Sequence, residues 1–236
     1  VAISFTKAYG KNLSVPPPAD WGRVTQGVTF SVLVGNQSGK ANPRCNTQGG
    51  GESMSKFKPL NIRLKSGEEL EIREASPSDA PGLLSYVEAI SGESDNLTFG
   101  PGEFNMTLAQ EKEFLAAMEK RSNAIYLLGL LDGEIVAGLS FMGGMRRRMS
   151  HAGEFGMSVR KAHWNKGIGA AMLSTFLGWC RRTREIRKVN LRVRVDNRAA
   201  IHLYSKFGFQ LEGRRTREFM IDGRFVDVFF MGLDID

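Results

Sequence analysis

Positions Ile168, Ala171, Met172, Thr175, Phe176 and Trp179 recur at i, i+3, i+4, i+7, i+8 and i+11, the spacing of one helix face. A strand-like run over 154–159 precedes that helix, and Trp164-Asn165-Lys166-Gly167-Ile168-Gly169 joins the two. A strand-like run over 189–195 leads to a second stripe, Ala200, Leu203, Tyr204 and Phe207, at i, i+3, i+4 and i+7. Elsewhere turn residues punctuate alternating runs. Ser66-Gly67 separates 61–65 from 69–73, Asp132-Gly133 separates 124–131 from 134–142, and Asp222-Gly223 separates 212–221 from 224–232. Ser76-Pro77-Ser78-Asp79 supplies caps for a helix reaching about Ile90. Thr107-Leu108-Ala109-Gln110 is a capping box opening another, with Leu108, Leu115 and Met118 toward the core. The order is β, α, α, β, β, β, α, β, α, β, β, with the first hairpin as its first member. A mixed α/β sheet with helices on both faces follows.

The strand–loop–helix junction at 154–173 carries the first chemical signal. A helix N-terminus presents unpaired N–H groups at the positive end of its dipole, an arrangement that binds phosphate. Gly167 and Gly169 lack a Cβ, so a pyrophosphate can approach the main chain there. An ordinary strand-to-helix turn would look the same.

Composition narrows the class. Hydrophobic residues make up 42% and charged residues 24%, the balance of a globular chain, and no apolar run approaches a membrane span. The N-terminus shows no signal-peptide pattern, and Cys45 and Cys180 are too few and too far apart for a disulfide framework or a metal site. A reducing cytoplasm is the default expectation. Of the net charge of +7, residues 1–53 carry +3, from five Lys/Arg and two Asp/Glu, leaving +4 for the rest. That is too little to argue for nucleic acid, and it would suit a ligand with several phosphates. Residues 1–53, with Pro16-Pro17-Pro18 and Gly49-Gly50-Gly51, read as a flexible appendage or as non-native sequence ahead of a start at Met54, and 54–236 as the folded domain.

The Gly167–Gly169 loop and helix, the strand, then Asn197-x-x-Ala200-x-x-x-Tyr204 and Gly208-Phe209 resemble the GNAT family of acyl-CoA-dependent N-acetyltransferases. Trp164 stands where that family usually has Arg or Gln. Trp164-Asn165-Lys166-Gly167-Ile168-Gly169, together with Glu212-Gly213, Asp222-Gly223 and Val226-Asp227, looks most like a bacterial branch. Its members acetylate ribosomal-protein N-termini, polyamines and amino acids. The resemblance implies a V-shaped split between strands 151–159 and 188–195. It also implies acetyl transfer from acetyl-CoA to a small-molecule amine or a protein N-terminus, without a metal or a membrane, in a chain that could dimerise.

Asn165, Lys166, Gly167, Ile168, Gly169 and Ala170 would hold the pyrophosphate, and main-chain groups of Met157 and Val159 the pantetheine arm. Gly156, in mid-strand just before them, fits a bulge or a close backbone approach. Asn197 would meet the pantetheine or carbonyl region, and as an N-cap it has a structural task too. Tyr204 would be the general acid, although its stripe also fits core filling. Glu154 is the candidate base, or else a strand charge paired with an Arg; His151 is the runner-up. Loops 91–106, 143–150 and 214–224 would meet the acceptor. Rival readings are a non-catalytic acyl-CoA sensor and an RNA- or ribosome-associated module using Arg146–Arg148 and the basic cluster 181–188.

Overall fold

A computed structural model describes residues 57–236; the expectations for 1–53 and Cys45 lie outside them. β1 (Leu60–Arg63) and β2 (Glu69–Glu74) form the first hairpin, and α1 (Ala80–Ser91) and α2 (Leu108–Glu119) follow. Three successive strands come next, β3 (Ala124–Leu131), β4 (Glu134–Gly143) and β5 (Ala152–Val159). The chain then runs through α3 (Ile168–Thr183), β6 (Lys188–Arg194) and α4 (Arg198–Lys206) into β7 (Gln210–Ile221) and β8 (Arg224–Asp234). All eight strands join one sheet in the order β1-β2-β3-β4-β5-β6-β8-β7. Every neighbouring pair is antiparallel except β5–β6, whose connection is the α3 crossover.

β3 shows how both faces are covered, since all eight of its residues are buried. Ile125, Leu127 and Leu131 pack in the cluster that holds Met172 and Phe176 of α3 and Tyr204 of α4. Tyr126, Leu128 and Leu130 point the other way, into the cluster of Leu83 and Val87 of α1 and Leu115 of α2. The helix stripe read from the sequence is the buried face of α3, with Ile168, Met172, Thr175, Phe176 and Trp179 all inside. Phe176 packs its ring against Phe141, Phe155 and Trp179.

Two local expectations need correction. Leu108 is 43% exposed, because burial along α2 begins only at Glu111; Leu115 and Met118 are inside as the spacing implies. Gly156 makes no bulge: it pairs in register with Ser140 along an unbroken β4–β5 ladder. The register shifts fall instead between Gly129 and Leu130 in β3–β4 and at two points in β7–β8.

The α1/α2 side carries a costly group. Glu111 is 1% exposed, and neither of its carboxyl oxygens has a hydrogen-bond partner; the Tyr126 hydroxyl is also buried and unpaired. Burial raises the Glu111 pKa from 4.5 to about 7. Below pH 4.5 the group is protonated folded or unfolded and shifts nothing. Between there and pH 7 the unfolded chain ionises first, so stability falls as pH rises, by up to about 3 kcal/mol. Glu111→Gln should flatten that slope. Urea denaturation of both proteins from pH 5 to 8 measures it, and parallel pH profiles would mean that Glu111 is not the group responsible.

Candidate functional site

The parallel ladder between β5 and β6 is short. It pairs Ala152 with Lys188, Gly153 with Val189 and Glu154 with Asn190, and stops. Beyond it β5 stays paired with β4 as far as Val159, and β6 with β8 as far as Arg194. A split therefore opens between two strands that each keep their outer neighbour.

Alternation fixes what faces the split. The Gly144 N–H donates to the Ala152 carbonyl and the Arg160 N–H to the Val136 carbonyl, so even-numbered β5 residues direct main-chain groups to β4. Phe155, Met157 and Val159 consequently turn theirs toward the split. Side chains divide by the same parity: Phe155 and Met157 enter the α3/α4 cluster, and the Ser158 hydroxyl meets the Tyr86 hydroxyl of α1 at 2.8 Å. The Val159 carbonyl is already engaged, accepting from Trp164 Nε1 at 2.7 Å.

The loop after β5 delivers the α3 N-terminus to this opening. Asn165 and Gly167 are both left-handed, at φ 63° and 87°. Gly167 caps α3 without any side-chain hydrogen bond, so the N–H groups of its first turn have no capping partner. A cavity of about 520 Å³ lies against them. Asn165, Gly167, Ile168, Gly169 and Ala170 line it, as do Met157 and Val159 of β5 and Asn197. Lys166 is outside the lining; its Nζ meets Oε1 of Glu68, in the β1–β2 turn, at 3.1 Å. Asn197 also accepts from the Ala200 N–H at 3.1 Å, the N-cap bond of α4.

The remaining walls carried no sequence motif. Ile90 at the end of α1 and Glu93, Ser94, Asn96 and Leu97 after it line the cavity. That segment is tethered at both rims of the split. Glu93 accepts from Arg160 Nε at 2.7 Å and from the Lys161 N–H at 2.6 Å, just past β5. Arg194, at the end of β6, donates to the Asp95 carbonyl at 2.7 Å. His163 and Trp164 contribute from the loop, and His202, Leu203 and Lys206 from α4. Pairings 67 to 99 residues apart leave no local spacing to read.

Tyr204 and Glu154 sit at the base of the split, outside the lining. Tyr204 is fully buried, edge-on to Phe155 with ring centroids 5.7 Å apart, and its hydroxyl has no hydrogen-bond partner. Burial pushes its pKa far above the phenol range, so it keeps its proton at any physiological pH. Glu154, the last β5 residue in the ladder, points to the opposite face and accepts from Arg192 Nε at 2.9 Å. Arg192 also donates to Glu218 of β7 at 3.0 Å. His151 is exposed three residues before Glu154, and the 143–150 loop with Arg146–Arg148 precedes it at the paired end of β5. Cys180 is wholly buried within α3, where burial pushes its thiol well up. Among the described residues no three His, Cys, Asp or Glu cluster as a metal site, and no helix is long and apolar enough to cross a membrane.

The sequence profile of the Acetyltransferase (GNAT) family matches residues 94–209, which span the cavity's loop, both helices and the split. A solved GNAT-family acetyltransferase from Streptococcus pneumoniae is 33% identical, with TM-score 0.69, over 71% of this chain and all of that one. The chain belongs to the GNAT family. The L-amino acid N-acetyltransferase AaaT of Escherichia coli is 31% identical over 105 residues, 44% of this chain and 65% of the relative's length. This GNAT chain thus spans just under two thirds of that curated relative. The structure of yncA from Salmonella typhimurium with its cofactor acetyl-CoA shares the fold, at 20% identity and TM-score 0.63, over 71% of this chain and 94% of that one.

The two loop glycines serve different ends, and substitution separates them. A Cβ at Gly167 meets nothing within 4 Å, but φ 87° strains any L residue; Gly167→Ala should cost about 1 kcal/mol. A Cβ at Gly169 makes ordinary contacts, 3.5 Å from Leu203 and Met157, in a helical turn that favours Ala. Gly169→Ala should leave stability unchanged or slightly raised. Chemical denaturation of the two variants checks the contrast, and equal losses would contradict it.

Proposed function

We propose that the protein transfers an acetyl group from acetyl-CoA to a primary amine by direct attack in a ternary complex. The observation that carries this reading is the uncapped α3 N-terminus and the open β5 edge lining one cavity. The residues present fit the donor. A pyrophosphate would sit on the N–H groups of Ile168, Gly169 and Ala170, where the helix dipole favours an anion. A pantetheine arm has amide groups of its own, which the main chain of Met157 and the Val159 N–H could pair as an added strand would.

In the transfer an N–C bond forms and the C–S bond breaks, the amine giving up a proton and the sulfur gaining one. The two faces of the sheet divide this work. Tyr204, on the α3/α4 face, holds a phenol proton that burial keeps in place, which suits a donor to the departing sulfur. Its unpaired hydroxyl lacks the partner that the sulfur would supply. Glu154, on the other face, would meet the incoming amine, with Arg192 sharing its carboxylate. Proton removal there passes through Glu154 or an ordered water next to it. Cys180 is too deeply buried to carry the acetyl group, which argues against an acetylated enzyme. The acceptor is a small-molecule amine or a protein N-terminus, met by the loops at 91–106 and 214–224, in a cytoplasmic bacterial setting.

Thiol release from acetyl-CoA, measured over polyamines, amino acids, aminoglycosides and ribosomal-protein N-terminal peptides, tests the reading. Turnover with one amine class is the expected result. Acetyl-CoA binding without turnover on any amine would favour a sensor instead. Tyr204→Phe should lower kcat about 100-fold or more. The same variant should leave the free protein as stable as before or more so, since it removes a buried hydroxyl with no partner. Unchanged kcat would remove Tyr204 from the chemistry.

A further inference from the structure

Apart from His163, whose Nδ1 is buried without a hydrogen-bond partner, the basic side chains around the cavity fall into two groups. Arg160, Lys166 and Arg194 are each held by a carboxylate, those of Glu93, Glu68 and Asp196. Arg198, His202 and Lys206 are not. These three recur at i, i+4 and i+8 along α4, so they stand one above another on one face. All are exposed, and no side-chain hydrogen bond or ion pair engages them among the described residues. α4 contains no acidic residue to neutralise them. His202 and Lys206 line the cavity, and Arg198 lines a smaller hollow of about 360 Å³ that shares Asn96, Asn197 and Ala199 with it.

The stripe lies beside the phosphate cradle. A Cβ on Gly169, in the first turn of α3, would stand 3.5 Å from Leu203, the residue next to His202. An anion on the α3 N-terminus therefore has the middle of α4 as its neighbour. The first-turn N–H groups can serve one anionic group, and a ligand bearing a second would bring it to basic side chains that no carboxylate engages. Acetyl-CoA carries two, the pyrophosphate and a phosphomonoester on the adjoining ribose.

We infer that His202 and Lys206, with Arg198 at the outer end of the stripe, bind the ribose 3′-phosphate of acetyl-CoA. This rests on the acetyl-CoA reading above. A phosphomonoester is a compact dianion, and the lysine ammonium, arginine guanidinium and imidazole N–H are all donors suited to its oxygens. The stripe then selects the phosphorylated nucleotide over its 3′-dephospho form, a discrimination that the main-chain cradle cannot make.

Isothermal titration of the full chain with acetyl-CoA and with 3′-dephospho-acetyl-CoA tests it, using wild type, Lys206→Ala and the His202→Ala/Lys206→Ala pair. Wild type should bind acetyl-CoA about tenfold more tightly than the dephospho form, the scale of one or two charge-assisted hydrogen bonds. The double variant should lose most of that preference by weakening acetyl-CoA binding alone, with Lys206→Ala intermediate. Equal affinity of wild type for the two nucleotides would overturn the inference while leaving the donor reading intact. Equal weakening of both by the double variant would assign the stripe to the pyrophosphate and also overturn it. Failure of wild type to bind either nucleotide would overturn both.

Discussion

The structure depends on a pair of strands that part company. β5 and β6 share three register positions and then diverge, because β4 holds one as far as Val159 and β8 holds the other as far as Arg194. Neither strand ends where the pairing ends, so main-chain donors and acceptors are left facing the gap. Buried backbone groups without partners are costly. The protein meets part of that need itself, with the Trp164 indole on the Val159 carbonyl and the Glu93 carboxylate on the Lys161 N–H just past β5. What stays open is an edge at which a strand-like ligand would complete the sheet.

The divergence also sorts the chemistry by face. Continuing β5 past the ladder carries the chain to the loop that points the α3 N-terminus back at the split, so uncapped helix N–H groups and the open edge meet in one cavity. On that side lie Phe155, Tyr204 and Phe209, an apolar aromatic cluster around a hydroxyl with no partner. On the other side lie Glu154, Arg192 and Glu218, a charged row within reach of solvent. A thioester held in the gap would be reached by an amine from the charged face while its sulfur faced the apolar one. On the proposed chemistry, the sheet would keep the two proton transfers apart.

Much of this was legible along the chain, because it is written in local spacing. The α3 stripe, the Asp-Gly hairpins, the Thr107–Gln110 capping box and the Asn197 cap each depend on residues within a few turns of one another. Eight of the nine residues expected to hold the donor line the cavity, because they belong to one strand–loop–helix unit and one helix cap. What was hidden depends on distant parts of the chain. Lys166 pairs with Glu68, 98 residues away, and so turns from the cavity. Glu93 becomes a wall because Arg160 binds it from 67 residues away. Leu108 keeps the right spacing but lies before α2 meets the core, and the regular pairing of Gly156 is decided by β4. On α4 only the apolar stripe of Ala200, Leu203, Tyr204 and Phe207 was read; the basic row of Arg198, His202 and Lys206 gains its meaning from the cavity beside it, which no local spacing shows.

The most direct measurement of the central claim is residue-resolved amide hydrogen exchange along β5, with and without acetyl-CoA. Phe155, Met157 and Val159 direct their main-chain groups into the split, whereas Glu154, Gly156 and Ser158 are paired with β4. Addition of acetyl-CoA should therefore slow exchange at Met157 and Val159, with Gly156 and Ser158 little changed. Uniform protection along the strand, or none at saturating ligand, would contradict the account.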